Sequence, residues 1–149
     1  MLDFYHNSLV DTPNKCNKYS INELYGIRAN KRVEGMTIKE ALVYLRKRGL
    51  SGQKIDNYAK INSSEVIKHA IVMFGPVAAG LKCYSGDTLN FWRKKGQYLG
   101  GHCVTFVGYD KKGFIVRNSW GTQYGKGGYH TLPYDEFSSA CFEAWTFAL

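Results

Sequence analysis

Two of the 149 residues, His102 and Asn118, are of the types and at the spacing that acid–base chemistry uses. His102 opens an alternating run over 102–109, and Asn118 closes a second run over 114–118. Between the runs, Asp110-Lys111-Lys112-Gly113 reads as a turn, eight residues from His102 to Asp110 and five from Gly113 to Asn118. An antiparallel ribbon closed by that turn brings both side chains to one end, within reach of each other. An Asn carboxamide oxygen that accepts a ring N–H fixes the tautomer and rotation of the imidazole, and the other ring nitrogen is left to exchange a proton with a nucleophile.

Such a ribbon must be held by a larger sheet and by helices. In 102–109, Val104, Phe106 and Gly108 alternate with Cys103, Thr105 and Val107, and further strands are expected over 77–82, 128–132 and 142–147. Upstream the period is helical. Thr37-Ile38-Lys39-Glu40 forms a capping box, and Ile38, Ala41, Leu42 and Leu45 repeat on one face. Arg46, Lys47 and Arg48 suit the negative end of that helix, and Gly49 stops it. A second helix is predicted from about Ser64, with Val66, Ile67, Ala70, Ile71 and Phe74 on its apolar side, ending at Gly75-Pro76. Short helices are expected after Asp87, carrying Leu89, Phe91 and Trp92 inward, and after Ser20, holding Leu24. Helices first and antiparallel strands second make an α+β plan.

Composition agrees with a folded chain. Hydrophobic residues at 44% and charged residues at 21% exclude a disordered tail, a collagen-like rod and a coiled coil. Twenty Lys and Arg against twelve Asp and Glu leave +8, but the basic residues fall in short runs such as Arg46-Lys47-Arg48, Lys94-Lys95 and Lys111-Lys112. They read as solvated faces, and with no reader motif a nucleic-acid partner is not expected. No apolar run reaches the roughly 18 residues of a membrane span, so no membrane partner is expected. Met1-Leu2-Asp3-Phe4-Tyr5-His6 lacks the pattern of a secretory signal, which favours an intracellular location. Cys16, Cys83, Cys103 and Cys141 stand far apart without a C-x-x-C pair, and neither a zinc site nor a disulfide framework is expected.

The context of the His–Asn pair resembles one family. Gly101-His102-Cys103-Val104-Thr105-Phe106-Val107-Gly108-Tyr109-Asp110 is followed by Gly113-Phe114-Ile115-Val116-Arg117-Asn118-Ser119-Trp120-Gly121 and then by Gly125-Lys126-Gly127-Gly128-Tyr129. The order of these segments, the sixteen residues from His102 to Asn118, the NSWG run and the later G-x-G-G-Y are together similar to the C-terminal half of papain-like cysteine peptidases. Gly75-Pro76-Val77 and Tyr19-Ser20-Ile21-Asn22-Glu23-Leu24 extend the resemblance upstream, over roughly residues 19 to 149.

The resemblance implies a papain-like fold: one domain over 1–149, with an incomplete helical lobe over about 1–74 and an antiparallel sheet or barrel lobe over about 75–149. It implies His102 as general acid/base, Asn118 as its orienter and Trp120 as the indole that screens their bond from water. Gly80 and Gly100 are implied to line the pocket for the substrate side chain preceding the cleaved residue, and to leave it open. A peptide or protein is the implied substrate, and no cofactor or metal is implied. The sequence departs from the family at Tyr124, where Trp is more usual.

The family's nucleophile, a Cys in a C-G-S-C-W type signature preceded by an oxyanion Gln, has no counterpart in this sequence. The catalytic His lies roughly 130–150 residues after that Cys in the family, whereas Cys16 precedes His102 by 86. Cys103 follows His102 on a strand and faces the other side of the sheet. Leu2, Tyr5 and Leu9 repeat as the end of an amphipathic helix, so Met1 is expected to stand inside the nucleophile helix, with the Cys and Gln outside the chain. Apolar faces left wet by that loss cost about 25 cal/mol per Å2 and invite a covering polypeptide.

Plainer readings accompany these. His6, His69 and His130 lack ligand spacing and read as surface residues. The glycines of 121–128 read as loop punctuation, since Lys126 is followed by Gly127 and not by Ser or Thr. Two functions follow: a papain-like cysteine peptidase whose nucleophile lies elsewhere, or an inactive relative that binds through the same cleft.

Overall fold

The computed structural model describes residues 23–32, 34–50, 52–86 and 92–149. The expectations for Leu2, Tyr5 and Leu9, for Cys16, for Tyr19 and Ser20, and for Leu89 and Phe91 lie outside the described residues. The chain divides into a larger compact unit over 59–146 and a smaller one that holds the described residues up to 58 together with 147–149.

In the smaller unit, α1 (Ile38–Lys47) starts where the sequence places it. Thr37 Oγ1 accepts from the backbone N–H of Glu40, and the Glu40 carboxylate accepts from the backbone N–H of Thr37, so the capping box is complete. The Glu40 carboxylate also takes the backbone N–H of Ala29 at 3.0 Å, and these bonds, that of Ala29 foremost, hold its pKa down. Ile38, Leu42 and Leu45 are buried. Gly49, at φ 77°, ends the helix in a conformation that a side chain disfavours.

The larger unit carries the sheet. From residue 57 onward the elements are β1 (Asn57–Ile61), α2 (Ser64–Phe74), β2 (Val77–Tyr84), β3 (Tyr98–Tyr109), β4 (Gly113–Arg117), β5 (Tyr129–Pro133), α3 (Tyr134–Ala140) and β6 (Cys141–Ala148). The sheet runs in the order β1-β6-β2-β3-β4-β5, and the pairs β6-β2, β2-β3, β3-β4 and β4-β5 are antiparallel. The architecture is α+β, as the sequence predicts. Strand β1 and the short helix α3 were not among the predicted elements.

The core joins Ile67 and Ala70 of α2 to Val77, Ala79 and Leu81 of β2, Val104 and Phe106 of β3, Phe114 and Val116 of β4, and Phe137 and Ala140 of α3. Phe106 and Phe114 stack at 4.8 Å and 9° across the hairpin. The apolar side of α2 is narrower than expected. Ile67 and Ala70 are buried, but Val66, at the edge of the apolar arc, is 47% exposed, and Phe74, the last residue of the helix, is 54% exposed. Among the described residues no helix is long and apolar enough to cross a membrane.

Candidate active site

The hairpin closes as its sequence dictates. Asp110 Oδ1 accepts the backbone N–H groups of Lys112 and Gly113, and the Asp110 N–H donates to the Gly113 carbonyl at 3.0 Å. Thr105 pairs with Arg117 and Phe106 with Val116, and an extra residue on β3 follows before Gly108 pairs with Ile115. One further pair in that register sets Asn118 across from Val104, whose same-face neighbour on β3 is His102. The diagonal is bridged directly, with His102 Nε2 2.8 Å from Asn118 Oδ1.

One backbone donor fixes the chemistry of this pair. The N–H of Ser119 can only donate, and it lies 2.8 Å from Asn118 Oδ1, so the oxygen of the carboxamide is the atom facing His102. His102 Nε2 must therefore carry a proton, and Nδ1 is the basic nitrogen of the neutral ring. Burial holds the His102 pKa below the ordinary imidazole range, and the bond to Asn118 offsets part of that shift. A ring that is neutral at physiological pH suits a general base.

Two indole rings crowd the pair. Trp120 lies 4.8 Å from His102 at 27°, Trp92 lies 6.1 Å from it at 4°, and the two indoles stand 5.5 Å apart. Trp92 is 1% exposed, donates Nε1–H to the Lys82 carbonyl at 2.9 Å, and donates its backbone N–H to the Thr131 carbonyl at 2.8 Å. Its inward direction was legible in the sequence, but its stacking on His102 was not. Tyr124, the family departure, meets Trp120 edge-on at 5.9 Å.

His130 corrects the sequence reading. It is buried at 5% exposure, not on the surface, and its Nε2 lies 3.3 Å from Asn118 Nδ2. Along β5, His130 and Leu132 are both buried and two residues apart. An apolar residue at that offset was the available signal that the histidine faces inward.

The two glycines differ in what surrounds them. A Cβ on Gly100 would meet nothing within 4 Å, whereas one on Gly80 would lie 2.6 Å from Cζ of Phe142. Gly80 pairs with Glu143 and Leu81 with Cys141, so Phe142 is the extra residue of a β-bulge. A bulge re-aims a side chain, and this ring lies over Gly80 and Gly101. The space beside Gly80 is therefore occupied by the Phe142 ring, while that beside Gly100 is open.

Cys103 and Cys141 are poor nucleophiles. Burial pushes the Cys103 thiol up to about 12 and the Cys141 thiol up to about 11. Cys141 Sγ donates instead to the Glu143 carbonyl at 3.4 Å. Cys16 lies outside the described residues. Among the described residues no group of three or more His, Cys, Asp or Glu is arranged to hold a metal ion.

An α+β chain with an Asn-held imidazole beneath indoles at one end of an antiparallel sheet has the make-up of the papain-like fold. The chain belongs to the papain family of cysteine proteases, whose family model matches residues 12–144. It is 36% identical to macrodontain-1 of Ananas macrodontes over 86 residues, covering 53% of this chain and 39% of that protein. It is 29% identical to falcipain-2a of Plasmodium falciparum over 133 residues, covering 85% of this chain and 24% of that one. The bromelain protease of Ananas comosus, solved with the E64 inhibitor, superposes with a TM-score of 0.66 at 18% identity, covering 87% of this chain and 77% of that one. The chain spans well under half the length of the curated relatives it matches.

Proposed function

We propose that the chain supplies the acid–base half of a papain-like cysteine peptidase, acting on a peptide or protein substrate. The observation that carries this reading is the 2.8 Å contact of His102 Nε2 with Asn118 Oδ1. In the proposed reaction a Cys thiol gives its proton to His102 Nδ1, and the thiolate attacks the scissile carbonyl carbon. The tetrahedral oxyanion collapses, His102 returns the proton to the leaving amine, and a thioester remains. Water then attacks the thioester, with His102 taking and returning a second proton. Asn118 holds the ring throughout, and Trp120 screens the bond between them.

The thiol of this proposal is not that of Cys103 or Cys141, neither of which has the lowered pKa of a nucleophile. The same proposal treats residues 1–149 as one domain, with a helical lobe to about 74 and a β lobe from about 75. It assigns Gly80 and Gly100 to the pocket for the substrate side chain preceding the cleaved residue, with Phe142 narrowing the Gly80 side.

The raised thiols also favour a second reading, an inactive papain-like protein that binds through the same groove. Peptide hydrolysis by residues 1–149, alone and joined to the sequence encoded directly upstream, separates the two. Turnover that appears with the upstream sequence and disappears on thiol alkylation supports the peptidase. No turnover in either form leaves the binding protein.

A further inference from the structure

We infer that His130 is a positioning residue for the acid–base pair, an inference that rests on the peptidase reading for its functional meaning. Asn118 is pinned on both sides of its carboxamide. On one side, Oδ1 accepts from His102 Nε2 at 2.8 Å and from the Ser119 N–H at 2.8 Å. On the other, Nδ2 lies 3.3 Å from His130 Nε2. A carboxamide nitrogen can only donate, so His130 Nε2 accepts, which requires a neutral imidazole protonated on Nδ1.

The two imidazoles thus hold opposite tautomers across one amide: Nε2–H in His102 and Nδ1–H in His130. Turning the Asn118 carboxamide over would set its NH2 against the N–H of Ser119 and its oxygen against the Nε2 lone pair of His130. Both contacts oppose the flip. His130 therefore raises the cost of the rotamer in which His102 loses its acceptor.

The neighbours of His130 keep its ring in place. It meets Trp92 at 5.9 Å and 87°, and Trp120 at 6.2 Å and 81°, the two indoles that also stack on His102. On β5 it pairs with Val116 of β4, two residues before Asn118. The same indole pair thus fixes the geometry of both imidazoles.

The test is long-range 1H–15N NMR of the imidazoles in residues 1–149, comparing the wild type with His130→Leu and His130→Gln. The wild type is expected to show His102 protonated on Nε2 and His130 on Nδ1. In His130→Leu the His102 Nε2 proton is expected to exchange with water roughly tenfold faster, as the loss of one hydrogen bond implies. His130→Gln, whose side-chain oxygen can accept from Asn118 Nδ2, is expected to recover slow exchange. Should His130→Leu not fold, the wild-type tautomers and the Gln variant decide. His130 protonated on Nε2 in the wild type overturns the inference, as does His102 exchange indifferent to a folded Leu variant or fast in a folded Gln variant. The readout needs no thiol and no turnover. A protein with these tautomers but no peptidase activity keeps the positioning role and loses the peptidase reading.

Discussion

The ring of Phe142 occupies the space that a side chain at residue 80 would need, with Cζ 2.6 Å from the position of a Cβ on Gly80. The ring is 49% exposed, so it can swing aside at modest cost. Phe142→Ala is expected to open the Gly80 side of the proposed pocket. In the nucleophile-complete protein, kcat/KM should shift toward larger residues preceding the cleavage site by roughly tenfold or more. A substrate series varied at that one position checks it, and an unchanged ranking removes Gly80 and Phe142 from the pocket.

The hairpin that carries the site is sensitive at Gly113. A Cβ there would lie 2.0 Å from the backbone oxygen of Leu132, and neither backbone can yield without breaking the Gly113–Pro133 and Phe114–Leu132 pairs. Gly113→Ala is expected to cost about 1–3 kcal/mol or more, lowering Tm by roughly 2–4 °C per kcal/mol. Gly26→Ala, where an added Cβ meets nothing within 4 Å, serves as the control and should leave Tm level or raised. Equal melting of the two variants contradicts the register.

Much of this was legible in the sequence because it is local. The Asp110–Gly113 turn, the alternation on either side of it and the Thr37–Glu40 box are short-range patterns, and they carried the His102–Asn118 pairing with them. What escaped depends on partners distant in sequence. Leu132 two residues on marks the inward face of His130, but its place beside Trp92 and Trp120, which makes it part of the site, is set by partners distant in sequence. Helix α3 is seven residues long, opens after Pro133 without a side-chain cap, and buries only Phe137 and Ala140, too little periodicity to detect. The Phe142 bulge is a mismatch between two strands, which neither strand records alone.

The depressed pKa of His102 gives stability a definite pH dependence. Burial is the main cause. Because the folded value is lowered, this contribution is complete above the unfolded histidine value of about 6.5 and is lost as pH falls through the folded value. Melts between about pH 7.5 and 5.5, above the carboxylate range, should show a decline that is shallower in His102→Gln. Identical slopes would mean that the ring titrates normally. Once a thiolate stands beside it, the opposite charge should raise the His102 pKa.

The Cys103 and Cys141 thiols, both partly buried, should react slowly in the native state. With Cys103 at about 12 and Cys141 at about 11, alkylation by iodoacetamide near neutral pH is expected to be slower than for an open thiol, on the order of a hundredfold or more. Peptide mapping after timed labelling gives each rate, and urea should restore both. Rapid native labelling of either cysteine would make it a rival nucleophile.

The most direct measurement is kcat for His102→Ala against the wild type, in the protein joined to its nucleophile segment. A loss of roughly 10²–10⁴-fold, with KM little changed, is the expected result for a general acid/base. Hydrolysis at the wild-type rate in the folded variant would contradict the assignment of proton transfer to this imidazole.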